Sequence, residues 1–109
     1  MQPSVNSSPQ LWPFLLDLLT SSEYKHLIRW VGDDGEFEFV MPELVAQMWG
    51  LKKGNENMNF SKLSRALRSY YSNGIISKVN GQQYIYKFEF DLGVHLGYSV
   101  EELRRLLKY

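Results

Sequence analysis

Two turn signals leave this chain few architectures. Gly32-Asp33-Asp34-Gly35 separates Leu27–Val31 from Glu36–Val40, and Asn80-Gly81 separates Ile75–Val79 from Tyr84–Phe90. The flanking segments are short and rich in aromatic and β-branched residues, so each pair reads as an antiparallel hairpin. Asn-Gly is the stronger signal, because both residues tolerate the left-handed backbone of a two-residue turn. Tyr84, Tyr86, Phe88 and Phe90 alternate with Ile85, Lys87 and Glu89, as a strand with one covered face should.

Helical patterns fill the remainder. Ser8-Pro9 opens an apolar stretch that runs through Leu19. Pro13 fits only a first helical turn, so the regular helix is expected from Gln10 or Leu11. Pro42 heads a second helix, expected to end before Gly50 with Leu44, Val45, Met48 and Trp49 buried. Lys52–Asn57 reads as a polar turn. A third helix, Met58–Tyr71, follows and stops at Asn73-Gly74. The order is helix, two strands, two helices, two strands. It predicts an α+β fold, a winged helix-turn-helix with three helices packed on a four-stranded antiparallel sheet.

The end of the chain differs in character. Asp91–Leu96 reads as a short helix, which Gly93 weakens by about 1 kcal/mol relative to Ala. Ser99 and Glu102 form a capping box before a helix striped by Val100, Leu103, Leu106 and Leu107. The expected organisation is a flexible tail at residues 1–9, the winged-helix domain at 10–90, and a helical extension at 91–109.

Bulk properties exclude several classes. At 109 residues and 44% hydrophobic content the chain can furnish one cored domain. Without cysteine it holds neither a disulfide framework nor a Cys-based zinc site. No apolar run approaches the roughly 18 residues that suggest a membrane span. MQPSVNSS lacks the basic and apolar regions of a signal peptide, and reads as a tail or the edge of a piece of a longer protein. His26 and His95 are isolated, no nucleophile–base pattern occurs, and no enzyme activity is expected. The acids Asp33, Asp34, Glu36 and Glu38 do not have the spacing of a calcium loop. Neither a metal nor a cofactor is expected.

A formal net charge of zero argues against generic nucleic-acid binding, but the charge is unevenly spread. From Lys52 to Lys87 there are seven Lys or Arg and one acid, Glu56, a net +6. From Asp33 to Glu43 there are five acids and no base. A basic segment in a neutral protein is what a one-sided DNA surface needs. Within it, the Met58–Tyr71 helix turns Phe60, Leu63, Leu67 and Tyr70 to one side, and Arg65 and Arg68 to the other. Three residues apart, the two guanidinium groups are neighbours. An arginine fork matches the O6 and N7 of guanine, so the pair can read two adjacent guanines in a major groove. A solvated or salt-bridged basic ridge is the plainer alternative.

The segment MNFSKLSRALRSYY resembles the recognition helix of the ETS family of transcription factors. LWPFLLDLL, IRWVGDDGEFEF, PELVAQMWG and QYIYKF extend the resemblance from Leu11 to about Leu107 in the family's order and spacing, with Trp12, Trp30 and Trp49 near-evenly placed. It implies a nuclear, sequence-specific double-stranded DNA-binding domain. It also implies a GGAA or GGAT core, read by Arg65 and Arg68. The resemblance places backbone contacts at the Leu11 amide, the Trp49 indole, Lys53, Lys62, Tyr70, Lys78 and Tyr84. Trp12 and Trp30 read instead as core. Asn55, Asn57, Asn73, Gln82 and Gln83 stand where relatives often carry cations, while Phe60 and Ser69 replace tyrosines. The backbone grip is therefore expected to be thinner than in such relatives. The family splits over the C-terminal extension. In one branch the corresponding tail docks an ankyrin-repeat β subunit, which would make Leu103, Leu106 and Leu107 partner-binding. In another it packs on the domain and modulates DNA binding. Simple closure of the core is a third role.

Overall fold

A computed structural model describes residues 9–109, so the expected tail, apart from Pro9, lies outside the described residues. Helix α1 spans Leu11–Leu19, with Pro13 in its first turn as its missing N–H requires. Strand β1 (Ile28–Trp30) and β2 (Glu36–Phe39) follow, joined by the Gly32–Gly35 loop and closed by Val31 N–H donating to Glu36 O at 2.8 Å. Helices α2 (Pro42–Lys53) and α3 (Phe60–Arg68) precede β3 (Ile76–Lys78) and β4 (Ile85–Phe88). The sheet is antiparallel throughout, in the order β1-β2-β4-β3. The expected α+β winged helix is the architecture observed.

Alternation along the strands builds the core. Phe37 and Phe39 of β2 point to the same face as Tyr86 and Phe88 of β4, and all four are buried. Their rings meet with centroids 5.0–6.2 Å apart. Trp30 and Ile28 extend this layer, against Leu15, Leu19, Val45, Leu63 and Leu67 from the three helices. Burying each such side chain contributes about 1.5–3 kcal/mol before chain entropy is subtracted.

Helix α2 departs from expectation. It does not stop at Gly50 but runs to Lys53, and Gly54 at φ 72° supplies the left-handed cap. Gly50 serves closeness instead. A Cβ there would lie 2.6 Å from Asn55 O and 2.7 Å from Met58 Cβ, so the connecting turn passes where only glycine permits. The buried face rotates accordingly to Val45, Ala46, Trp49 and Gly50, leaving Leu44 40% exposed and Met48 half-buried.

Helix α3 is shorter than expected at both ends. Asn59 caps it, and the chain from Ser69 to Gly74 continues as turns. There Tyr70 N–H donates to Leu67 O and Tyr71 N–H to Arg68 O. The wing also differs. A two-residue turn at Asn80-Gly81 would pair Val79 with Gln82, but the register pairs Lys78 with Tyr86. Two consecutive turns fill the gap, with Gln82 N–H donating to Val79 O and Ile85 N–H to Gln82 O. Gly81 has positive φ and Asn80 does not, which excludes the type I′ turn that both residues suit.

The extension forms α4 (Leu92–Leu96), capped by Asp91, and α5 (Val100–Leu106), opened by the Ser99–Glu102 capping box. Leu92, Val100 and Leu103 join the core. The last residues fold back on β1. Lys25 Nζ donates to Leu107 O and Lys108 O, Trp30 N–H to Tyr109 Oη at 2.9 Å, and Arg104 pairs with Asp33 at 2.8 Å.

Candidate nucleic-acid interface

Leu63 and Leu67 are fully buried, so the opposite side of α3 must face solvent. Arg65 and Arg68 lie there, both exposed. Neither forms an ion pair or a side-chain hydrogen bond among the described residues. Ten guanidinium donors are thus left for a ligand. Arg68 also lies near the wing. Burial pushes the Tyr86 hydroxyl up to about 12, nearby Tyr71 adds to the rise, and the charge of Arg68 opposes it.

The residues expected to grip phosphates are held in several ways. The Leu11 side chain is core, and its amide stands at the start of α1, among first-turn N–H groups without intrahelical acceptors. The next amide, Trp12 N–H, donates to Tyr70 Oη at 3.2 Å. This bond ties the start of α1 to the turn after α3, and leaves the Tyr70 proton free to donate. Trp49 is 4% exposed and packs on Phe14 at 5.2 Å. Arg104 Nε is the sole side-chain nitrogen or oxygen sealed without a partner among the described residues. The Trp49 indole N–H, which has no acceptor there either, therefore reaches solvent. Lys53 Nζ lies 5.7 Å from the Trp49 ring centroid, on an exposed side chain.

Two lysines meet backbone carbonyls. Lys62 Nζ donates to Asn57 O at 3.1 Å, bridging the turn before α3. Lys78 Nζ donates to Val79 O and Gln82 O and lies 5.1 Å from the Tyr86 ring centroid. Its burial lowers the ammonium pKa. Tyr84 is half-buried and packs edge-on against Phe60 at 5.5 Å. The substituted positions Asn55, Asn57, Asn73, Gln82 and Gln83 are all exposed. Asn55 and Asn73 accept from the Asn57 and Ile75 N–H groups, so they build the turns on which they sit.

Elsewhere, two of the five acids in the acidic stretch are ion-paired among the described residues. Arg29 pairs with Glu38 and Arg104 with Asp33. No group of three or more metal-ligating side chains occurs among the described residues. Trp30 is core, as expected, with its indole N–H donating to Leu19 O. Half-buried Trp12 packs on Phe90 and His95. The extension's leucines are not one ridge. Leu103 is 3% exposed and belongs to the core, Leu107 is half-buried, and Leu106 is 68% exposed. The sequence reading missed Glu43, whose carboxylate meets the start of α3. An acid in a helix's first turn already suits its own dipole, so nothing local marks this second role.

The winged helix with a free arginine pair agrees with a family match. The Ets-domain model matches residues 8–89. The chain belongs to the Ets-domain family. This Ets domain is 53% identical over 102 residues to GA-binding protein alpha chain of Homo sapiens and of Mus musculus. The alignment covers 94% of this chain and 22% of that protein, so the chain spans about a fifth of the relative's length. It is 49% identical over 98 residues to Protein C-ets-2 of Lytechinus variegatus, covering 90% of this chain and 89% of the relative. Protein C-ets-1 of Homo sapiens is 48% identical over 98 residues, 90% of this chain and 22% of the relative. The Ets-domain relatives of this chain are sequence-specific DNA-binding transcription factors.

Proposed function

We propose that this Ets domain acts in the nucleus as the DNA-binding part of a transcription factor, recognising double-stranded DNA with a GGAA or GGAT core. The observation that carries this reading is the pair Arg65 and Arg68, exposed and unpaired among the described residues, on a helix whose other face is anchored by Leu63 and Leu67. Each guanidinium takes the O6 and N7 of one guanine. The Leu11 amide, Trp49, Lys53, Lys62, Tyr70, Lys78 and Tyr84 flank the helix as phosphate contacts that set its register. Lys62 and Lys78 must first exchange their backbone carbonyl partners for phosphate. An electrophoretic shift on GGAA and AGAA duplexes at one stated salt concentration tests the reading. Tight binding to the first and weak binding to the second is expected, and equal binding would refute it.

A second reading concerns the extension. Val94 is 82% exposed on α4 and Leu106 68% exposed on α5, which supports a protein contact there more than simple closure of the core. The partner proposed is an ankyrin-repeat β subunit, by analogy with the GA-binding relative. Leu106→Asp should leave folding and DNA affinity intact and abolish capture of that subunit. A mutant that still binds the subunit excludes Leu106 from the contact.

A further inference from the structure

The start of α3 is held by a group that the DNA-binding reading leaves unused. Glu43, in the first turn of α2, reaches across 17 positions of chain, and its Oε1 accepts from Phe60 N–H at 3.1 Å. Phe60 is the first residue of α3, so its N–H is one that the helix cannot satisfy internally. Asn59 meets a second such donor, Lys62 N–H, at 2.9 Å. The Glu43 carboxylate also lies at the positive end of the α3 dipole. The Phe60 ring packs on Phe39 at 5.0 Å, and Phe39 ends the strand that leads into α2. One junction, β2 to α2, thus pins both the backbone and the side chain of residue 60.

The buried stripe of Leu63 and Leu67 sets how deeply α3 sits, but a helix resting on two leucines can still rock at its ends. The Glu43 bond removes that freedom at the end nearest the connecting turn. Arg65 and Arg68 lie about 7.5 and 12 Å farther along the axis, so a few degrees of swing displaces their forks by a fraction of an ångström or more. Bidentate contacts require both donors in place at once.

We propose that Glu43 is a positioning residue for base recognition, setting the angle at which α3 presents Arg65 and Arg68. The inference rests on the base-reading role proposed for those arginines. Glu43 meets no base and acts only through the Phe60 amide.

The test compares Glu43→Ala, which removes the acceptor, with Glu43→Gln, which keeps an acceptor oxygen without the charge. Affinities for GGAA and AGAA duplexes are measured at fixed salt, well below each variant's melting transition, together with hydrogen exchange at the Phe60 amide. Glu43→Ala should cut the preference for GGAA about three- to tenfold, the size expected for one charge-assisted bond at a helix terminus. It should also speed exchange at Phe60, while Glu43→Gln retains most of the preference. An Ala variant that keeps its preference, or loses affinity for both duplexes equally, overturns the proposal. So does a Gln variant as impaired as Ala. If Glu43→Ala does not fold, Glu43→Asp, which withdraws the carboxylate by one methylene, is measured in its place with the same expected loss. A wild-type domain without preference for GGAA would refute the base-reading role instead, and that result needs no Glu43 variant.

Discussion

On the outer face of α3, Arg65 and Arg68 stand free of acids and carbonyls among the described residues; on the wing, Lys78 is bound to Val79 O and Gln82 O and lies against Tyr86. Both regions belong to the same basic segment, yet their charges are held differently. The difference follows from side chain and support. A guanidinium on a regular helix has no carbonyl within reach, since the helix consumes its own. An ammonium beside an open loop finds the carbonyls that close the loop's two turns, Val79 O and Gln82 O, each of which has a second lone pair to accept with. The outer face of the helix therefore keeps the donors of Arg65 and Arg68 for a ligand, whereas the wing spends Lys78, and the start of the helix Lys62, on local structure. Tyr86 lies between the regions, with the Lys78 ammonium over its ring and the Arg68 charge near its hydroxyl.

The largest way to break this contrast is to remove the anchor beneath the arginines. Leu67→Ala should cost about 2–5 kcal/mol of folding stability, because Leu67 is fully buried and the cavity closes only in part. Urea unfolding checks it. A loss below about 1 kcal/mol would show that α3 is not fixed from its inner face.

Next in size is the arginine pair. Arg65→Lys or Arg68→Lys keeps the charge and removes the fork. Each should lose about 1–3 kcal/mol on a GGAA duplex and much less on random DNA. Equal losses on both duplexes would mean that the residue meets only phosphate.

Tyr86 gives an alkaline signature. Its folded pKa is raised, so the folded state holds the phenolic proton more tightly than the unfolded chain does. Stability is therefore unaffected below about pH 10 and falls between about pH 10 and pH 12, by on the order of 1 kcal/mol after allowance for solvent screening. The lowered pKa of Lys78 acts oppositely, adding stability as pH rises toward its unfolded value. Tyr86→Phe should flatten the decline in a pH series of melting curves. An unchanged decline would place its origin elsewhere, with Tyr109, also raised by burial, the next group to replace.

The smallest effect sharpens the comparison most. Lys53→Met should reduce the slope of log K against log salt by about 0.9 if Lys53 neutralises one phosphate. Lys78→Met should reduce it by less, because the loop already occupies that ammonium. Asn55→Lys with Asn73→Lys should steepen the slope and raise affinity for all sequences alike. Identical slopes for the two Met variants would mean that the wing releases Lys78 to DNA completely.

Local chemistry made much of this molecule legible. The GDDG loop, the Pro13 and Pro42 helix starts, the Ser99–Glu102 box and the two-faced pattern of α3 each depend on residues within one turn of each other. Periodicity alone placed Leu63 and Leu67 inside and Arg65 and Arg68 outside. Several corrections lie where contacts beyond a single helical or hairpin turn intervened. Gly50 looked like a stop, but the passing turn at Asn55 and Met58 makes it a contact point. Leu44 looked buried until the small residues Ala46 and Gly50 turned α2. Asn80-Gly81 suggested a tight hairpin, yet the register that covers Tyr86 and Phe88 leaves a wider loop.

By itself, then, the sequence determined which segments are helices and strands, which face of α3 is apolar, and which two cations share its outer face. These are properties of spacing, set by 3.6-residue and two-residue periods and by caps a few atoms away. Tertiary structure alone decided which polar groups remain free. It bound Lys78 to its own loop, drew Leu103 into the core while leaving Leu106 outside, and brought Glu43 to the Phe60 amide. The physical reason is reach. A side-chain hydrogen bond forms with whatever lies within about 3 Å, and residues 17 or 58 positions apart come that close only when the sheet and helices have packed.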